Sequence, residues 1–598
     1  FREKSSVKSS FSEKCRITAL IPMSPENTYL IYFLALCIST LLAGTSLYGE
    51  EDDEVLTVMF DELERSYTIL QTEEQPPYFV SYKISQEDSL TVNGSFGQVF
   101  VENRNRVNRL YSEVRVGSFE LDNTHPVPMS GFGFGGILAE LDSSGIPLDN
   151  ADALRTVLWL ETDKAYKQAI NDYANVLSAM QSQVEEDDQS GDFSRAPAET
   201  YIAPAINFED NGDLLRSKVK QYTASFSGAE HILSNDVSIS QTIETRWYVN
   251  TDGSRIKDVT SLYYISISAS AKAEDGMILQ RTLIYQGDSL EVAFIDEKIL
   301  ADTNQLIVDL EALRDAPLAE PFEGPAILSG RASGVFFHEI LGHRLEGHRQ
   351  KHVDEGQTFK DKLGEAILPD NFSIIFDPTI THYGNAQLAG DYRFDSEGVK
   401  AQRVVVVERG VLKQFLMSRT PIEGFPSSNG HGRKSVDANV IVPRQSNMFV
   451  EVENAVSPEE LEQLLIDRVT EQGKEYGLYV DDIQGGFTNT GRFGPNAYSV
   501  LPVLVYKIYT DGTRELIRGV NLIGTPLTTF SRVEQASTEI AIFDGMCGAE
   551  SGWIPVSTVA PSILVSQIEV QRADQSRNIP PILPSPVRPP ADRTIRQH

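Results

Sequence analysis

Between Val335 and Gln350 the chain reads VFFHEILGHRLEGHRQ, two histidines and a glutamate set into an apolar run. Neutral imidazole is a common zinc ligand, and a carboxylate beside a ligand can act as general base toward water. The familiar zinc-protease spacing is H-E-x-x-H, which puts both histidines on one helical face. Here His338 and His343 stand five positions apart. On an ideal helix that separation is about 140° of rotation, so both rings meet one ion only if the turn is widened. A π-bulge would widen it, and Gly342 makes the backbone pliable at that point. The spacing therefore predicts one bulged helix from Ser333 onward carrying His338, Glu339 and His343. A solvated, histidine-rich helix is the alternative, but ionisable groups between GVFF and ILG would be costly to bury without a cation. His348 and His352 are assigned to the surface, and Glu346 either to a hydrogen bond on a ligand histidine or to the surface.

A catalytic zinc takes three protein ligands and keeps a position for water. Cys547, in FDGMCGAESG, is the favoured third ligand, because its glycine neighbours permit close approach and thiolate binds zinc strongly. His382 and His431 are the alternatives. The chain has three cysteines, and two of them, Cys15 and Cys37, precede the expected mature protein. Cys547 would then be a lone thiol with no disulfide partner. Coordination would explain it, a buried inert cysteine being the plain alternative.

The elements that must position these residues begin after a leader. YLIYFLALCISTLLAG, Tyr29 to Gly44, is uncharged and apolar. It is short for a membrane span, which needs roughly 20 residues, and suits the apolar region of a secretory signal peptide. Cleavage is expected between Ala43 and Gly49, giving a mature N-terminus between Gly44 and Glu50, export to the periplasm or the extracellular space, and no stable membrane span. A retained N-terminal anchor is the alternative. Translation from Met23 would leave a leader without Lys or Arg ahead of its apolar region, and residues upstream of Met23 would then be an over-extended frame. The net charge of −33 argues against a nucleic-acid partner, which needs a basic face.

From Glu50 to Glu320 helix and strand signals mix. DEVLTVMFDELERSYTIL repeats apolar residues at three- to four-residue steps, PYFVSYKISQ and RLYSEVRVGSFEL alternate, and a long helical pattern opens at NADALRTVLWLETDK. Asp-Gly turns mark further hairpins at VNTDGSRI and AEDGMIL. Residues 321–573 read as the strand PAILS, the metal-binding helix and then mostly β structure, with hairpins turning at Gly410 and at Asp511-Gly512. One clear helix, SPEELEQLLIDRVTEQ, starts at an N-cap Ser457 followed by Pro458 and Glu460. The proline-rich 574–598 is expected to be a disordered tail. The predicted class is α+β: residues 1–49 as signal peptide and upstream extension, a 50–320 α/β domain with a mostly antiparallel sheet, and a 321–573 domain with the metal-binding helix and a β-rich catalytic part.

HEILGHRLEG and FDGMCGAESGWIPV, together with FDSEGVKAQRVVVVERGVLKQFLMSR, GGFTNTGRFG and IRGVNLIGTPL, resemble the landmarks of the TldD/PmbA metallopeptidases, from about Glu51 to Glu569. The chain resembles the TldD side of that family, since the PmbA-like branch lacks the metal motif. The resemblance implies one zinc ion per chain held by His338, His343 and Cys547, with Glu339 as general base. It also implies a homodimer, or a heterodimer with a related subunit, that cleaves peptides or unfolded polypeptide in an enclosed site. A zinc-containing scaffold without activity, its site closed by a fourth ligand such as His382 or His431, is the rival reading. A metal-dependent hydrolase of something other than peptides is a second.

Overall fold

The computed structural model describes residues 53–126, 145–181, 188–351, 355–436, 438, 440–491 and 498–573. The expected leader, the proline-rich tail and His352 lie outside the described residues. Among those described, no helix is long and apolar enough to cross a membrane.

The first part is a six-stranded sheet with helices packed against it. Asp53 caps helix α1 (Glu54–Leu70) by accepting from Leu56 N–H, and Leu56, Met59 and Leu63 point inward at helical spacing. Strands β1 (Pro77–Ser95) and β2 (Gln98–Val116) form a hairpin of 19 residues a side. Helix α2 (Ala151–Met180) packs on β2 and α1. The short β3 (Thr200–Ile202) and helix α3 (Gly212–Ala224) lead into β4 (Ile232–Asn250), β5 (Arg255–Lys272) and β6 (Ile278–Gly287). The order is β2-β1-β4-β5-β3 with β6 also on β5, all antiparallel except β3 with β5. The Asp-Gly turns connect β4 to β5 and β5 to β6 as expected. Helix α4 (Asp296–Asp315) covers β5 and β6, burying Ile299, Leu306, Leu310 and Leu313.

The second part is built on an 11-stranded sheet. Its strands used below are β7 (Phe322–Leu328), β8 (Phe372–Phe376), β9 (Val404–Glu408), β10 (Val411–Leu412) and β11 (Asn447–Val452). They are followed by β12 (Tyr476–Thr488), β13 (Tyr498–Tyr509), β14 (Arg514–Ile517), β15 (Val520–Gly524), β16 (Val533–Ala549) and β17 (Gly552–Arg572). The β9–β10 and β13–β14 hairpins turn at Gly410 and at Asp511-Gly512 as read from the sequence. The 21-residue β17 pairs with β16, β15, β11 and β7. Because β7 pairs with both β17 and β12, strands β17-β15-β13-β12-β7 close on themselves. Helix α5 (Gly330–Ile340) follows β7 directly and lies on β17, β12 and β16. Helix α6 (Pro458–Glu471) starts where expected, with Ser457 Oγ accepting from Glu460 N–H at 3.1 Å.

Buried ion pairs tie the two sheets together. Arg281 of β6 pairs with Asp309 of α4 and with Asp482 of β12, which also receives Arg331 of α5 at 2.7 Å. Arg419 is fully buried and donates to the Ser194 carbonyl and to Asp252 at 2.8 Å. Its own N–H donates to Glu397 at 2.7 Å. Neighbouring Asp395 accepts from the backbone N–H groups of Glu397, Val399 and Gly432. Burial, then the charge of Asp395, push the Glu397 carboxyl up to about 8.

Candidate metal centre

The helix carrying His338 starts and ends earlier than the sequence predicts and has no bulge. Ser329 caps its start by accepting from Ala332 N–H, and Val335, Phe336, Phe337 and Ile340 are wholly buried. Glycine lets it press on the sheet: a Cβ at Gly330 would lie 2.8 Å from Ala541 N, and one at Gly334 would lie 3.0 Å from Phe543 Cβ. The helix stops at Ile340, and a 3₁₀ turn, Gly342–Leu345, carries His343. This corrects the expectation of one bulged helix through both histidines.

The break holds because each freed carbonyl finds a donor. Leu341 N–H bonds to the Phe337 carbonyl at 3.1 Å and Arg344 N–H to that of Leu341 at 2.9 Å. Gln445 Nε2 donates to the His338 carbonyl at 3.2 Å, and Arg344 Nη1 donates to those of Glu339 and Ile340 at 3.2 and 3.1 Å. A buried helix end without such partners would be strongly disfavoured. Gly342 makes room for this arrangement, since a Cβ there would sit 1.9 Å from Gln445 Oε1. The tighter turn thus does the work assigned to a bulge: the two rings approach to 5.1 Å between centroids, inclined at 76°.

Strand β16 supplies the third donor. Cys547 pairs in register with Ile554 of β17, and its Sγ lies 3.4 Å from His343 Nε2. Ligand atoms of His338, His343 and Cys547 all lie within 4.8 Å of one another, and all three side chains are buried. His338 Nδ1 is buried without a hydrogen-bond partner, as expected of a nitrogen reserved for something other than protein. Two buried imidazoles and a thiolate suit zinc, and leave a coordination position free. Neither alternative third ligand joins them. His382 is exposed. His431 is fully buried elsewhere, between Asn429 and Ser446, and burial pushes it down to about 3.

Charge is balanced inside the cluster. Burial alone would lower His343, but Cys547 and Glu346 outweigh it and raise the ring to about 10. Burial would likewise raise Cys547, yet His343 and His338 hold it well below an ordinary thiol. Glu346 is wholly buried, 3.3 Å from His343 Nδ1, so of its two expected placements the surface one is wrong. Against its burial, Arg349, which donates to it at 2.8 Å, and His343 bring Glu346 down to about 2. His348, assigned to the surface, is also buried, because its Nε2 meets Glu550 of the β16–β17 turn. Glu550 accepts from Arg349 as well, at 3.1 Å.

Glu339, next to His338 in the chain, is half-buried. It lies against Gly486 of β12, where a Cβ would come within 2.7 Å of Glu339 Cγ. Sequence reasoning missed Arg344, Arg349, Arg444, Gln445 and Glu550. The only signal for them was the presence of charged and amide side chains in stretches that the structure buries.

Residues 214–314 match the model of the PmbA/TldA metallopeptidase central domain and residues 322–572 that of the C-terminal domain. A metalloprotease of Archaeoglobus fulgidus is 29% identical over 53% of this chain and 68% of its own length. A zinc metalloprotease TldD homolog of Saccharolobus solfataricus is 25% identical over 45% of this chain and 57% of its own. The crystal structure of TldE from Thermococcus kodakarensis shares the fold with a TM-score of 0.57 at 15% identity, covering 86% of this chain and 100% of that one. The α+β architecture, the two matched domains and these relatives agree, and the chain belongs to the TldD/PmbA family of metallopeptidases.

Proposed function

We propose that the protein is a zinc-dependent peptidase that holds one ion on His338, His343 and Cys547 and uses Glu339 as general base. The observation that carries this reading is the convergence of the three buried donors with His338 Nδ1 left unpartnered. Zinc bound there would polarise a scissile carbonyl and acidify water. Glu346, facing His343 Nδ1, orients that ring so that Nε2 points toward the cluster. Glu339, next to a ligand in sequence and kept in place by the space at Gly486, takes the proton of the attacking water and returns it to the leaving amine.

The substrate class we infer is extended peptide or unfolded chain, bound with weak sequence preference. Apart from one bridge of Ser537 to Val456, β16 pairs among the described residues only with β17. Its other edge, running to Cys547, is open to an added strand, and such binding reads backbone more than side chains. Exposed Met546 and Trp553 flank Cys547 on β16 and β17, and exposed Phe487 and Leu501 lie on β12 and β13, which favours an enclosed site formed with a second copy or a related subunit. Export by the leader remains part of the proposal. The scaffold reading needs a fourth ligand, and neither His382 nor His431 lies at the cluster.

One experiment tests ligand, base and substrate together. His338→Ala, His343→Ala and Cys547→Ala should each lose zinc and peptide cleavage, while Glu339→Gln keeps zinc and loses about 10²- to 10⁴-fold in turnover. A small protein offered folded and then destabilised should be cut only in the second form. Unchanged zinc content in Cys547→Ala would overturn the ligand set, and equal cleavage of both forms would overturn the enclosed site.

A further inference from the structure

Arg444 sits behind the donor set and touches both sides of it. Its guanidinium is completely buried. Nη2 donates to Cys547 Sγ at 3.2 Å and to the Cys547 carbonyl at 2.7 Å. Nη1 donates to Ser551 Oγ at 2.7 Å and to the Gly552 carbonyl at 3.0 Å, so the same group clamps the turn after the cysteine. Nε lies 3.4 Å from Glu346 Oε1, the oxygen that faces His343 Nδ1. The arginine is thus bound directly to one donor of the cluster and through a single carboxylate to another.

Burying a guanidinium is costly unless its charge and its donors are all answered. Here Glu346 faces the charge and four acceptors take up the two terminal nitrogens, while Nε makes an ion-pair contact with Glu346 at 3.4 Å and no hydrogen bond. An apolar side chain here would leave buried Glu346 with one cation fewer and the Cys547 and Gly552 carbonyls without this donor. What only a cation adds is a charge-assisted hydrogen bond to the thiolate. Such a bond withdraws electron density from sulfur, and a sulfur that donates less leaves its metal the stronger Lewis acid. A thiolate gives more charge to zinc than imidazole does, so a hydrolytic centre containing one gains from having that donation reduced.

Resting on the zinc-site reading above, we propose that Arg444 is a positioning residue of the metal centre. It fixes the Cys547 sulfur and the His343 ring against each other through Glu346 and reduces the charge that sulfur delivers to the ion. Lysine cannot replace it, because one ammonium cannot span sulfur, carbonyl and carboxylate in a planar fork.

The test uses the full-length protein loaded with Co²⁺, whose sulfur-to-metal charge-transfer band reports directly on the thiolate. Arg444→Gln removes the cation, and Arg444→Lys keeps the charge but loses the fork. In both, the band should persist and move to longer wavelength, further in Arg444→Gln, and competition with a chromophoric chelator should show metal held about 10- to 100-fold more weakly. Folding of each variant is read from its thermal transition; Arg444→Lys, which retains the charge facing Glu346, serves if Arg444→Gln does not fold. A folded variant with the parental band position and parental metal affinity would overturn the proposal. Absence of the band in the parent would instead show that Cys547 is not a ligand, and would overturn the underlying site reading together with it.

Discussion

The six-stranded sheet and the junction around Cys547 are held together by opposite means. In the sheet, β4 and β5 run in one register from Ser234↔Ser270 to Val249↔Arg255, and alternate side chains such as Ile265, Ile267 and Ala269 enter the core. Its stability is spread over many similar contacts. At the junction a few polar side chains do the holding: Arg344, Arg444 and Glu346 are all but inaccessible to solvent. Arg344 joins the break after α5 to Thr488 and the Asn489 carbonyl, Arg444 reaches Cys547, 103 positions away, and Glu346 faces His343. A fault in the first region should therefore cost stability and leave the chemistry alone, whereas a fault in the second should displace ligands.

The sharpest way to break that comparison is to damage each region by a similar amount. Arg344→Ala would orphan the carbonyls of Glu339 and Ile340 and let the break between the histidines relax. We expect zinc affinity to fall by about 100-fold, the upper end for residues that support ligands. Ile265→Ala in β5 should cost about 3 kcal/mol of stability with zinc affinity unchanged. Thermal melts and chelator competition on the two variants measure this, and equal loss of affinity in both would dissolve the distinction.

A smaller change probes the turn itself. Gly342→Ala places a methyl where Gln445 now sits, so the donor to the His338 carbonyl must move. Zinc should be held about 10-fold more weakly, with the six-stranded sheet keeping its hydrogen-exchange protection. Affinity equal to the parent would show that the turn tolerates a side chain.

The mildest effect is expected where the two parts meet. Glu397 has its carboxyl raised to about 8 by burial and by Asp395, so the folded state holds its proton more tightly than the unfolded chain does. Its contribution to stability is complete below an ordinary Glu pKa of about 4.3 and is lost as pH rises through about 8. Glu397→Gln preserves an acceptor for Arg419 N–H and should flatten the decline in melting temperature over that range. An unaltered pH profile would count against the protonated carboxyl.

What could be read from the sequence follows the same division. Helix α1, helix α6 with its Ser457 cap, and the hairpins at Gly410 and Asp511-Gly512 obey local rules of period, cap and turn, and they stand where expected. The three donors were also legible, because their types and spacing carry the chemistry whatever the backbone does between them. The backbone was not. A bulge and a helix break both bring His343 toward His338, and the choice between them depends on Arg344 and Gln445, whose partners no short-range pattern reveals. His348 looked like a surface residue because its partner, Glu550, is 202 positions away. Arg444 stands in VPRQSN, where nothing distinguishes it from a solvated arginine.

The separation of His343 from Cys547, 204 positions, also sets an order of events during synthesis. Chains are made from the N-terminus and their domains fold as units. The strands of the six-stranded sheet are all present once Gly287 has been added, but the donor set stays incomplete until β16 has followed. A ribosome-bound or prematurely terminated chain therefore carries His338, Glu339 and His343 without Cys547, the third donor of the set. On the zinc-site reading proposed above, a chain still being made lacks the complete donor set until Cys547 is added late in its synthesis.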